Sequence, residues 1–218
     1  MNKKAFTIAE LILVIAIIGI LFGIAGNTYR NQRSRYEFND SLQRVISLIN
    51  TARNYAVTSR SAYVGNVPTI PPEGYGVYIE KSATAGGSKI ILFANTGSDN
   101  NKYDNTDVIE ETYTIPKATV FEALTGDVSG TSKAVIIFRP PLAEVFIGSV
   151  ADGTVTEQEN LTISLYSVET PKIQKLDGEG NPVLDGENHP VMIPPPAAVR
   201  HIKINKTAGF PELITGNP

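Results

Sequence analysis

An α+β fold, with a long N-terminal transmembrane and amphipathic α-helix packed against an antiparallel β-sheet globular domain, is predicted by three features of this 218-residue sequence. The chain opens MNKKAFTIAELILVIAIIGILFGIA, two lysines ahead of an apolar run from Phe6 to Ala25 that only Glu10 interrupts. Apolar residues then recur at spacings of three and four through the segment from Tyr36 to Val57. Beyond Ser61 the pattern changes to alternation and turn signals.

At about 1.5 Å per residue the first run crosses a hydrocarbon core of roughly 30 Å, so it is expected to sit in a membrane. A secretory signal carries an apolar stretch of about 7 to 15 residues followed by a small-x-small cleavage site. Here the small residue, Ala5, precedes the run, and cleavage after it would leave the anchor on the mature chain. A carboxylate at that depth costs roughly 2.5 to 3.5 kcal/mol on insertion, which makes Glu10 a functional candidate in need of a partner. Gly19 and Gly23 are open to three readings: helix softening, a G-x-x-x-G dimer face, and chance. Arg30, Arg33 and Arg35 follow the span, so counting basic residues does not orient it.

Lys3-Lys4-Ala5, then Phe6-Thr7-Ile8-Ala9-Glu10 and the aliphatic run to Ile20, resembles the class III leader of type IV prepilins and type II secretion pseudopilins. That resemblance implies that a prepilin peptidase cuts between Ala5 and Phe6 and methylates the new Phe6 amino terminus. It implies that Glu10 acts in assembly, pairing with the N-terminal ammonium of a neighbouring subunit. It also implies a single-pass inner-membrane protein with a short cytoplasmic N-terminus and its globular domain outside the cytoplasm, later drawn into a pilus or pseudopilus. The implied partners are other pilin or pseudopilin subunits, the prepilin peptidase, a membrane assembly platform and, before assembly, the lipid bilayer. Two departures stand: Ala5 occupies a position where Gly is commoner, and no proline lies near the end of the apolar run.

Leu42, Val45, Ile46, Ile49, Ala52 and Ala56 form one stripe of an amphipathic helix, with Arg44, Asn50, Arg53 and Asn54 largely outside it. Neither Pro nor Gly occurs between Thr28 and Tyr63, so one continuous rod is expected. The stretch from Leu48 to Val57 is similar to a helix of H-type pseudopilins and FimT-like minor pilins, the subgroup to which the resemblance is closest. The expected organisation is leader 1–5, transmembrane and filament-core helix 6–25, amphipathic continuation 26–60 and a β-rich domain 61–218 with a loop insertion around 171–197.

Strands are expected at Gly76 to Glu80, Lys89 to Ala94, Val108 to Ile115, Thr119 to Ala123, Ala134 to Phe138, Glu144 to Ile147, Leu161 to Val168 and Val199 to Asn205. Leu161-Thr162-Ile163-Ser164-Leu165 and Ile202-Lys203-Ile204-Asn205 alternate as half-buried antiparallel strands do. Gly86-Gly87 marks a hairpin turn. The ending from Val199 to Gly209 resembles the last strand and glycine turn of the same subgroup. In the insertion, Leu176-Asp-Gly-Glu-Gly-Asn-Pro-Val183 is followed at once by Leu184-Asp-Gly-Glu-Asn-His-Pro-Val191 and then by three prolines, Pro194 to Pro196. This reads as a surface excursion built from turns, either a tolerated duplication or a tip that touches a partner.

Charge divides unevenly: residues 1–60 carry 8 Lys+Arg against 3 Asp+Glu, and residues 61–218 carry 11 against 19. An acidic domain is a poor general ligand for nucleic acid. The absence of cysteine excludes disulfides, thiolate metal sites and Cys nucleophiles. Asp99, Asp104 and Asp107 lie in a loop rich in the oxygen ligands Ca²⁺ prefers, without ordered EF-hand spacing. Arg200, Lys203 and Lys206, with His201, are candidate phosphate contacts. His189 and His201 are the only histidines, and the chain carries no phosphate loop or nucleophile elbow, so no enzyme and no cofactor are expected. The expected function is a structural subunit, a minor pilin or pseudopilin, of a type IV pilus or type II secretion-like filament, with DNA binding for natural transformation as the alternative.

Overall fold

The computed structural model describes residues 8–82, 84, 86–97, 101–126 and 129–215, with side chains for all but 23–31 and 129–131. One helix, α1 (Ile8–Val57), opens the chain. Strands follow in order: β1 (Ala62–Val64), β2 (Val67–Thr69), β3 (Tyr75–Glu80), β4 (Lys89–Ala94), β5 (Val108–Thr114), β6 (Thr119–Gly126), β7 (Ser129–Thr131) and β8 (Lys133–Arg139). Then come β9 (Glu144–Ala151), β10 (Thr154–Glu157), β11 (Asn160–Ser167), β12 (Ile173–Gln174), β13 (Met192–Ile193), a 3₁₀ turn at Pro196–Ala198, β14 (Arg200–Asn205) and β15 (Pro211–Thr215).

The strands build two main antiparallel sheets, one of six in the order β10-β9-β8-β3-β4-β5 and one of five in the order β15-β14-β11-β6-β7. Two small ribbons, β1-β2 and β12-β13, complete them. A single core joins the two inner faces. Tyr75, Val77 and Ile79 of β3 and Ala134, Ile136 and Phe138 of β8 meet Ile163 and Leu165 of β11 and Ile202 and Ile204 of β14. Only the C-terminal part of α1 enters this core, through Phe38, Leu42, Val45, Leu48, Ile49, Ala52 and Ala56.

The expected α+β arrangement, one helix covering one antiparallel sheet, is therefore corrected: the molecule is mostly antiparallel β-sheet. The physical reason lies in what alternation encodes. A period of two shows that a strand has an apolar face, without showing whether a helix or a second sheet covers that face. The eight expected strands occur within a few residues of their expected bounds, whereas β1, β2, β7, β10, β12, β13 and β15 were not anticipated. Most of these are short or sit at sheet edges, and β2 and β15 each contain a proline, which weakens any strand signal.

The transmembrane and membrane-protein expectations are corrected as well. Among the described residues, no helix is long and apolar enough to cross a membrane. The apolar stretch is one part of a single helix of 50 residues whose remainder carries charged and polar side chains. The rest of α1 beyond the arginines is amphipathic and serves the β-rich core.

A second apolar cluster covers the outer face of the six-stranded sheet. Ile91, Phe93, Val135, Ile137 and Phe146 are buried there beneath Tyr78, Tyr103, Val150 and Val155. Gly76 makes room for it: a Cβ on that residue would lie 2.5 Å from the Phe93 ring.

Candidate assembly surface

α1 is divided by what touches it. Its stripe from Phe38 to Ala56 is buried, and the polar Ser41 at the same level is fully enclosed and satisfied. The Ser41 hydroxyl donates to the Glu37 carbonyl at 2.7 Å and accepts from Tyr113 at 3.1 Å and from Thr119 at 3.2 Å. That network ties the helix to β5 and to the start of β6, one strand from each main sheet. At the far end Arg60 lies over the Tyr55 ring, Tyr55 meets Tyr75 edge-on, and the Tyr75 hydroxyl donates to the Arg60 carbonyl. Burial, with Glu110 nearby, pushes the Tyr75 phenol up to about 12.

The N-terminal part of α1 is the opposite case. Leu11, Ile12, Leu13, Val14 and Ile15 are consecutive, so they point around the whole helix, and each is between 45% and 63% exposed. Ile17, Ile18, Ile20, Leu21 and Phe22 continue the same surface. A monomer seldom leaves so large an apolar area open to water. Glu10 is exposed in the first turn, where a carboxylate also complements the helix dipole. Ala5 and Phe6 lie outside the described residues.

Between the apolar stretch and the domain runs a short neck. From Leu11 to Tyr36 the only charged residues are Arg30, Arg33 and Arg35. Tyr36 is 72% exposed, and Arg33 makes an i,i+4 pair with Glu37 at 2.7 Å on the open surface.

The loop carrying the calcium candidates has a different occupation. Asp107 accepts backbone N–H groups from Thr96 at 3.1 Å and Asp104 at 2.9 Å, and Asp104 accepts both the N–H and the hydroxyl of Thr106. These carboxylates close turns. Burial pushes the Asp107 carboxyl up, against the pull of its backbone donors. Asp99 lies outside the described residues, and among those described no three His, Cys, Asp or Glu side chains group as a metal site. What the loop positions is Tyr103, whose ring lies 4.9 Å from Tyr78 and 5.0 Å from Phe93. Arg139 anchors the loop by donating to Asn101 while pairing with Glu73.

The C-terminal basic residues do not converge. Ile202 and Ile204 face the core, which places Arg200 on that side of β14 and His201 and Lys203 on the other. Lys206 lies beyond the strand and pairs with Glu157 at 2.6 Å and Glu159 at 3.5 Å, and the first pair holds its ammonium above the usual lysine range. His201 is buried against Ser164, Nδ1 to Oγ 2.9 Å. The cross-strand register that pairs Ser164 with His201 could not be read from either strand alone.

The tandem octads, expected as a surface excursion of turns, form a closed three-armed structure. Three backbone hydrogen bonds close a ring among positions eight residues apart: Val183 N–H to the Lys175 carbonyl, Val191 N–H to the Val183 carbonyl and Lys175 N–H to the Val191 carbonyl, each 2.8 Å. The two octads and the β12-β13 ribbon thus radiate as three arms from one junction. Both octads are wired alike. Asp177 Oδ1 accepts from the N–H groups of Glu179 and Asn181, and Asp185 Oδ1 from those of Glu187 and His189, all at 2.8 to 2.9 Å. Those donors hold the Asp177 carboxyl below the usual range, the Asn181 N–H first. The repeat of eight residues was the signal from which this symmetry could have been found.

No family model matches the chain, and no curated protein or solved structure matches it either.

Proposed function

We propose that this chain is a non-enzymatic structural subunit of the minor pilin or pseudopilin class, joined to other subunits through its N-terminal helix after a prepilin peptidase removes residues 1–5. The observation that supports the reading is the apolar surface from Ile8 to Phe22, open on every side of α1 while the stripe from Phe38 to Ala56 is seated in the domain. A helix apolar on one face needs one partner. A helix apolar all round needs several, as in the centre of a helical assembly, where contacts of this kind propagate because they do not close. Glu10 then pairs with the Phe6 ammonium of a neighbour in a dry environment, where removing one member costs roughly 3 to 5 kcal/mol.

The test is Glu10→Val in the full-length chain. The variant should still be cut before Phe6, as read from intact mass, and should fail to enter filaments. Wild-type chain that keeps residues 1–5 in the presence of the peptidase, or variant that assembles at the parental level, refutes the reading.

A further inference from the structure

Resting on that reading, we infer that the three-armed knob of residues 173–193 docks on the Arg33-to-Tyr36 neck of α1 in a second copy of this chain. The knob is built to hold its shape without a core of its own: its junction is closed by main-chain hydrogen bonds, while Ile173, Leu176, Leu184 and Met192 are all between 45% and 55% exposed. Leu176 and Leu184 occupy the same place in two arms, and each is followed by Asp-Gly-Glu. The arms therefore present apolar side chains beside Asp177, Glu179, Asp185 and Glu187.

The neck offers the complement, an exposed Tyr36 with exposed Arg33 and Arg35 beside it. Charge separation within the chain, basic before residue 61 and acidic after it, favours contact between copies in this sense.

Placement agrees. The knob is inserted between β11 and β14, at the end of the five-stranded sheet where Ser167 pairs with Thr119. Thr119 in turn donates to Ser41 of α1, only a few residues past the neck. The knob is thus rooted at the end of the domain from which the neck departs. When apolar helix segments bundle, necks of neighbouring copies are brought together at that same end. The apolar interface of the bundle runs directly into the neck, so knob and neck extend one contact surface.

Because the chain has no cysteine, the contact can be probed by disulfide formation. Full-length Tyr36→Cys chains are mixed with full-length Leu184→Cys chains carrying a different tag, assembled and oxidised. A mixed disulfide between the two tags is expected. In a second arm, Glu179→Lys with Glu187→Lys spares Asp177 and Asp185, which hold the turns, and should lower the cross-linked yield roughly tenfold, as expected for about two rim charge pairs reversed. Arg33→Glu with Arg35→Glu should do the same, and all four substitutions together should restore the yield.

Filaments that sediment normally without a mixed disulfide, or with one whose yield ignores the charge reversals, overturn the docking while leaving the subunit reading intact. In a control chain carrying both Tyr36→Cys and Leu184→Cys, a disulfide that forms only within that chain, with none between the two tags in the mixture, also overturns it. Chains that never sediment as filaments defeat both.

Discussion

Two alanine substitutions thirty-four positions apart on the same helix should have opposite phenotypes. Ile49 is 0% exposed in the core, whereas Ile15 is 61% exposed. Truncating a buried isoleucine costs the transfer of its methyl groups plus the cavity left behind, about 2 to 5 kcal/mol. Ile49→Ala should therefore lower the melting temperature of the domain by many degrees. Ile15→Ala removes little that folding has buried, and alanine is the better helix former, so the melting temperature should stay within a degree or two.

Assembly reverses the ranking. Full burial of an isoleucine is worth about 1.5 to 3 kcal/mol, and with three fifths of the side chain still to be covered, the loss in a filament is about 1 to 2 kcal/mol per subunit. That corresponds to a critical concentration raised roughly 5- to 30-fold. The measurements are thermal unfolding followed by tyrosine circular dichroism, and sedimentation of the full chain against concentration. Ile15→Ala that melts as early as Ile49→Ala while sedimenting like the parent would show that the N-terminal stretch serves folding, and would refute the division of α1 into a seated part and an assembling part.

Two further outcomes follow from the domain itself. Tyr103→Ala should destabilise it by about 3 kcal/mol, in the range for loss of a packed aromatic, because the ring covers Phe93 and Tyr78. Tyr103→Phe should stay close to the parent, and added calcium should not alter the melting temperature of either. At alkaline pH, Tyr75 retains its proton to about 12 when folded and releases it near 10 when unfolded. The folded state is therefore favoured in full below pH 10, and on the order of 2 to 3 kcal/mol is lost as pH climbs from 10 towards 12. Tyr75→Phe should flatten that part of the stability profile, and a profile unchanged by the substitution would show that another group governs it.

The residue pattern by itself determined which segments become strands and which stripe of α1 is buried. Period two is legible in Leu161 to Leu165 and in Ile202 to Asn205, and period three to four in Leu42 to Ala56, because side-chain direction depends only on local backbone geometry. The apolar surface of Leu11 to Phe22 was equally legible, since a run without polar interruption leaves no face for water.

Only tertiary structure decided how those elements layer. Two sheets share the core where one had been expected, because an apolar face is indifferent to what covers it. The same limit applies to the side chains singled out for chemistry. Asp104 and Asp107 spend their oxygens on turn N–H groups, His201 is sealed against Ser164, and Lys206 is engaged by Glu157 and Glu159. Each of those pairings follows from turn geometry, from cross-strand register or from residues far apart in sequence, which spacing along the chain does not encode. The knob shows both sides at once. Its eight-residue repeat is written in the residues, while the ring of hydrogen bonds among Lys175, Val183 and Val191 exists only when three arms meet in space.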